Sequence, residues 1–182
     1  IGCGHARDKR LDPHQTQPGA AARKWDGALE TLDSEPLCKP DYLWDLNLLP
    51  WSTRTSPLQG DTYDEIHAYE VLEHLGQQGD CRAFFATFAE VWRLLKPGGF
   101  FCGTTPSRYS AWLWGDPGHT RAVLPESLVF LSQPNYADQL GRTAMSDYRS
   151  IYRADFDVVR SYDNHTTHQF ILRAVKPSRG ES

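Results

Sequence analysis

The sequence predicts an α/β fold in which a mostly parallel sheet ends in an antiparallel hairpin. Three observations predict it. Short β-rich runs alternate with one strongly periodic helical segment. A glycine turn, Ile1-Gly2-Cys3-Gly4, stands where a strand would hand over to a helix. Two further β-rich runs, 156–162 and 168–175, flank the turn-forming Asp163-Asn164-His165. A length of 182 residues suits one domain, read as spanning 1–182.

Each element follows from its residues. A strand of about five residues is expected before the glycine turn, so residues ahead of Ile1 are expected too. Residues 5–24 are polar and basic, and Pro13, Pro18 and Gly19 interrupt any period, so this stretch reads as a loop or mobile insertion. Residues 28–33 suit the next strand, ending in Asp33, and Tyr42-Leu43-Trp44-Asp45 the one after. Tyr63 to Tyr69 reads as a buried central strand. Asp80 then caps a helix whose apolar face is Phe84, Phe85, Phe88, Val91, Trp92 and Leu95. Pro97-Gly98-Gly99 is expected to stop that helix, and Phe100 to Thr105 to form a strand that Pro106 ends. Residues 125–133 read as a short helix with proline in its first turn, inside an irregular region, 107–150, expected to cover the acceptor side.

Composition excludes several classes. A net charge of −4 gives no global attraction to nucleic acid or an anionic membrane. No apolar run approaches the ~20 residues that span a bilayer. The four cysteines, Cys3, Cys38, Cys81 and Cys102, form no C-x-x-C pair and suggest no disulfide framework, which fits reduced thiols in the cytoplasm.

Ligands of open α/β sheets sit outside the carboxyl ends of the strands. Gly2 and Gly4 would lie there, where a backbone without side chains can approach a ligand. Asp33 would end the second strand and could accept from both hydroxyls of a ribose. Asp45, with the adjacent Leu46 amide, could read an adenine edge. Tyr69-Glu70-Val71 would end the fourth strand. Each acid alone reads more readily as a cap or a solvated loop residue; three acids, Asp33, Asp45 and Glu70, at successive strand ends point to a nucleoside. A nicotinamide dinucleotide would need G-x-G-x-x-G, and the third position here is Arg7.

Ile1-Gly2-Cys3-Gly4, Tyr69-Glu70-Val71-Leu72-Glu73-His74-Leu75 and Leu94-Leu95-Lys96-Pro97-Gly98-Gly99 together resemble the class I S-adenosylmethionine-dependent methyltransferases. The resemblance is greatest to a subgroup of small bacterial and phage enzymes. It rests on Lys39-Pro40-Asp41-Tyr42-Leu43-Trp44-Asp45-Leu46-Asn47, Leu49-Pro50-Trp51 and Tyr63-Asp64-Glu65-Ile66-His67, and spans Ile1 to Val175. It implies a Rossmann-like, doubly wound, seven-stranded sheet with the last strand antiparallel beside the fifth. It also implies S-adenosylmethionine held by Gly2, Cys3, Gly4, Asp33, Asp45, Leu46, Tyr69, Glu70 and Val71, with S-adenosylhomocysteine as product. Gly4 to Asp33 is longer than the usual ~20 residues, and Asp26 is the alternative carboxylate.

Transfer from a sulfonium needs alignment of donor and acceptor, and a base only where the acceptor keeps its proton. His74, after the fourth strand, and His119, in Asp116-Pro117-Gly118-His119, are candidate bases. Equally, His74 could bond the backbone and His119 could pair with Asp116 to hold the loop. Arg108, Trp112, Trp114, Asp116 and Arg121 would line a small-molecule acceptor pocket, or the tryptophans would simply cover the sheet. A metal at Asp116, His119, His165 and His168 has no recognised ligand spacing behind it, and none is expected. Nucleic-acid substrates are disfavoured, because neither an Asp/Asn-Pro-Pro-aromatic motif nor a Pro-Cys nucleophile is present. The expected function is therefore methylation of oxygen or nitrogen on a small molecule. A nucleic-acid or protein methyltransferase and a non-catalytic nucleoside-binding module are the alternatives.

Overall fold

A computed structural model describes residues 1–15, 25, 27–51 and 58–180. Six strands are present among them: β1 (Leu32–Asp33), β2 (Tyr42–Leu43), β3 (Tyr63–Tyr69), β4 (Leu95–Pro106), β5 (Phe156–Asp163) and β6 (Thr167–Ala174). The helices are α1 (Cys81–Leu94), α2 (Trp112–Gly115) and α3 (Gln133–Gln139), with 3-10 turns at Pro36–Cys38, Leu72–His74 and Pro125–Leu131.

The strands form a parallel pair, β2-β1, and a four-stranded sheet in the order β3-β4-β6-β5. β3 and β4 are parallel; β6 runs antiparallel between β4 and β5, so the last strand lies where it was expected. Ile1 and Gly2 stand between the two sheets. The Ile1 nitrogen donates to His67 O at 2.6 Å, and Gly2 N donates to Leu32 O at 2.7 Å.

Several expectations are corrected. Among the described residues there are six strands in two sheets, and the single seven-stranded sheet is not shown. β1 and β2 have two residues each, with pairing extended one step either way by Tyr42 N to Thr31 O and Trp44 N to Asp33 O. The helices of a doubly wound sheet are only partly present among the described residues. β1 passes to β2 through a single 3-10 turn, since Pro36 and Pro40 leave room for no more. The Pro97-Gly98-Gly99 turn does not stop the helix. α1 already ends at Leu94, and Leu95 is buried and pairs with Tyr63. The register then jumps to Glu65 opposite Phe100, so residues 96–99 swing out of the ladder, with Gly98 at φ 80°.

Residues 5–15 are packed, not loose. Lys9, Leu11 and Asp12 are buried against the sheet, and Arg160 of β5 donates to Asp12 O. Residues 16–24 and the alternative carboxylate Asp26 lie outside the described residues. In the region 107–150, Val123, Leu128, Leu131 and Tyr136 are buried. Phe130 and Tyr148, like Tyr152 just beyond, stack on Phe85 of α1, so much of this region is core rather than cover. α1 buries Phe85, Phe88, Val91 and Leu94 toward the sheet, where Phe88 meets Phe101 edge-on and Phe101 meets Phe170. Apolar burial of this kind is the main stabilising term.

Candidate functional site

The glycine turn is bonded to the end of β1 and to β3, while Asp33 ends β1, Asp45 lies two residues after β2 and Glu70 directly follows β3. Gly2 and Gly4 both have positive φ, 58° and 51°, which L side chains resist. The Gly4 amide donates to Asp33 Oδ2 at 2.7 Å, and Asp33 Oδ1 accepts from Glu35 N at 2.9 Å. Asp33 thus ties the turn to the end of β1. Two amides take two of a carboxylate's roughly four acceptor positions, leaving capacity for a ligand. Arg7 donates to Gly4 O and Cys38 O, closing the turn where a dinucleotide site would need glycine. Cys3 is half-buried, and its carbonyl accepts from Ala6 N.

Asp45 is exposed two residues after β2, and its Oδ1 accepts from the Asn47 amide. Leu46 beside it is buried, its carbonyl holding the Trp51 indole N–H. On the other side of the turn, Glu70 follows β3 with φ 55°, an uncommon conformation for a non-glycine residue. Its amide is held by Thr104 O, and its side chain is exposed. Val71 packs under Gly2: a Cβ there would lie 2.5 Å from Val71 Cγ2. Tyr69 behaves differently from its neighbours. Its hydroxyl accepts from the Arg10 and Leu11 amides and bonds His67, so its side chain serves the 9–11 segment.

Beyond β3 lies a cluster of ionisable groups. Glu73 is wholly buried, and neither carboxylate oxygen has a hydrogen-bond partner. Burial first, and then the charges of Glu70 and Asp116, hold its carboxyl well above the usual range. His119 Nε2 lies 3.9 Å from Glu73 Oε1 and 3.9 Å from Asp116 Oδ2. The expected Asp116–His119 side-chain hydrogen bond is therefore not formed. Asp116 Oδ1 accepts from Gly118 N instead, and Asp116 O from His119 N. His74 is exposed, stacks edge-on against His119 at 4.7 Å, and donates from Nδ1 to Gly118 O.

The remaining acceptor-side residues separate. Arg121 is buried, donating to Gln77 O and Asp80 O over the Phe84 ring, so it braces the start of α1. Arg108 pairs with Glu126. Trp112 and Trp114, on α2, are 69% and 60% exposed, and Tyr109 nearby is 66% exposed. His165 stacks on Tyr109, while His168 is buried between Ser161 Oγ and Val123 O. Neither belongs to the His119 cluster.

Sequence reasoning missed two features. Glu73 was quoted within a motif but given no role; its signal was adjacency to His74, three residues after Glu70. The second is the Lys9–Glu65–His67–Tyr69 network, signalled by three polar residues alternating on one face of β3. A cavity of about 580 Å³ adjoins this network and reaches Gly2 and Cys3 of the glycine turn. It lies between the sheets, with Leu32 and Thr31 on one wall and Glu65 and His67 on the other.

No protein-family model matches the chain, and no curated protein matches it. Solved structures do. One is described as a SAM-dependent methyltransferase from Archaeoglobus fulgidus, 14% identical, over 78% of this chain and 74% of that one, with TM-score 0.47. Another is the N-methyltransferase NodS from Bradyrhizobium japonicum in complex with S-adenosyl-L-homocysteine, 15% identical, over 72% and 52%, with TM-score 0.42. A third is a putative methyltransferase of Haloferax volcanii in complex with the activator Trm112, 14% identical, over 79% and 70%, with TM-score 0.45. Against NodS this chain spans about half of that chain's length. Among the described residues no helix is long and apolar enough to cross a membrane.

Proposed function

We propose that this chain binds S-adenosylmethionine and transfers its methyl group to an oxygen or nitrogen of a small molecule. The observation that carries the reading is the Gly4 amide bonded to Asp33 at the end of β1, in a turn that also bonds Leu32 and His67; Asp45 after β2 and Glu70 after β3 are assigned to the same site. Asp33 and Asp45 suit ribose hydroxyls and an adenine amine. Glu70 suits the ammonium of the methionyl part. The cofactor, when bound, supplies an activated methyl on a positively charged sulfur.

The chain's own part is to hold and align, which can contribute ~7–11 kcal/mol to such a displacement. Asp33, Asp45 and Glu70 would hold the donor so that its methyl group faces the acceptor, with S-adenosylhomocysteine as the product. An acceptor proton would pass to a ring nitrogen of His74 or His119. In both rings Nδ1 donates to a carbonyl, which leaves the lone pair on the other nitrogen. The exposed faces of Tyr109, Trp112 and Trp114 suit a planar or sugar-like acceptor. The seven-stranded sheet of the resembling family finds support in Ile1–Gly2, bonded to both sheets.

A thermal shift with S-adenosylmethionine, S-adenosylhomocysteine and NAD tests the reading. Ligand at 100 times its dissociation constant stabilises by ~2.7 kcal/mol, or roughly 5–11 °C at this size. The adenosyl sulfur compounds are expected to give that shift, NAD none, and Asp45→Ala or Glu70→Ala to reduce it. A shift with NAD alone, or a full shift in both variants, overturns it. Binding without turnover of labelled methyl donor across an acceptor panel would leave the non-catalytic nucleoside-binding module.

A further inference from the structure

We propose that Glu73, His74 and His119 form a binding site for one divalent transition-metal ion. One ligand atom from each of the three lies within 4.8 Å of the others, the only such group of three or more among the described residues. In a tetrahedral zinc site, bonds of ~2.0–2.2 Å set ligand atoms roughly 3.3 Å apart. Small side-chain rotations close the difference.

Three further observations point the same way. Glu73 is fully buried, and both of its carboxylate oxygens lack hydrogen-bond partners. A cation satisfies both oxygens at once. His74 Nδ1 donates to Gly118 O at 3.0 Å and His119 Nδ1 to Leu113 O at 3.2 Å. Fixing Nδ1–H on a backbone carbonyl is how proteins orient a metal-binding imidazole and leave Nε2 as the donor. The two chain segments are also clamped together before any ion arrives. Glu73 O accepts from the Thr120 and Arg121 amides, and Gln78 N donates to Thr120 O. Asp116 Oδ2 lies 3.9 Å from His119 Nε2, outside the group of three.

Two imidazoles and a carboxylate select the metal. Magnesium and calcium prefer oxygen alone, whereas zinc, cobalt and iron accept nitrogen with oxygen. The site shares His74 and His119 with the methyl-transfer reading but does not rest on it. A bound ion would occupy imidazole lone pairs which that reading gives to proton abstraction, so metal uptake decides the role of these rings without any acceptor.

Metal-stripped protein titrated with Co²⁺, followed by visible absorption, provides the test, with Zn²⁺ as competitor. Expected is one equivalent of Co²⁺ with bands of a low-symmetry nitrogen–oxygen site, displaced by Zn²⁺. Glu73→Gln, His74→Ala and His119→Ala should each weaken uptake at least about tenfold, and His165→Ala should not. His74 is exposed, so His74→Ala gives a folded variant, checked by circular dichroism, even if the buried replacements unfold. Folded wild-type protein that takes up no Co²⁺ overturns the site, as does unchanged affinity in His74→Ala.

Discussion

Gly2 is enclosed on its Cα face by Val71, and this one contact ties the turn at the chain's start to the segment leaving β3. Replacement by alanine would push a Cβ to 2.5 Å from Val71 Cγ2 while the backbone stays at φ 58°. Both penalties act together, overpacking and a left-handed conformation, and Gly2→Ala is expected to cost about 2–4 kcal/mol. A urea midpoint measures the loss; an unchanged midpoint would mean that Val71 yields freely. Gly4 is the contrast. Nothing lies within 4 Å of a Cβ built there, so its requirement is conformational alone. The glycines were legible in the sequence as a turn, but which of the two carries the packing was not. Val71 is 69 positions away, and no local pattern reports such a contact.

At the scale of elements, legibility follows how local the determining forces are. The start of α1 was readable because Asp80 acts within its own turn: Oδ1 accepts from Ala83 N at 2.9 Å. Asp80→Ala is expected to lower stability by about 1 kcal/mol, the usual cost of losing such a cap, with Asp80→Ser nearly neutral. Thermal unfolding of the two variants checks this, and equal losses would shift the cause to the Asp80 carbonyl that Arg121 holds. The hairpin was readable for the same reason, since Asp163 Oδ1 takes His165 N and Asn164 Oδ1 takes the Thr166 and Thr167 amides. The end of α1 was not. Leu95 looks helical by period, yet pairing with Tyr63 draws it into β4. Segment 5–15 was read as loose because its partners, Glu65 and Tyr69, lie 56 to 59 residues away. In the candidate site, the strand-end acids were visible through spacing and resemblance. The burial of Glu73 was not, because burying a carboxylate runs against its residue type.

Over the whole molecule, one buried polar network decides how stability responds to acid. Lys9 Nζ lies 2.7 Å from Glu65 Oε2, with the lysine side chain 3% exposed. His67 Nε2 donates to the same carboxylate at 2.8 Å, and its Nδ1 accepts from the Tyr69 hydroxyl at 2.6 Å. The network holds residues 9–11 on the sheet. Burial works against the Glu65 charge, but hydrogen bonds from His67 and Lys9 and the Lys9 charge outweigh it, bringing its carboxyl down to about 2. Burial likewise lowers His67, despite the nearby carboxylate, which favours the neutral ring. The signs agree. Glu65 titrates lower when folded than the roughly 4.3 of a free glutamate. The unfolded chain therefore binds more protons between those values, and the contribution of Glu65 is complete above about 4.3 and fades as pH falls toward 2. The contribution of His67 is complete above about 6.5 and fades below it. Melting temperature should therefore fall as acid is added from neutrality. Glu65→Gln would leave the Lys9 ammonium buried without its counter-charge, costing about 3 kcal/mol at pH 7, or roughly 6–12 °C. That gap should narrow as pH falls from about 4.3 toward 2, because proton uptake by Glu65 in the unfolded wild-type chain offsets its contribution. A gap that stays constant across the range would assign the loss to shape rather than charge, and the network would then owe its hold on residues 9–11 to the Tyr69 hydroxyl alone.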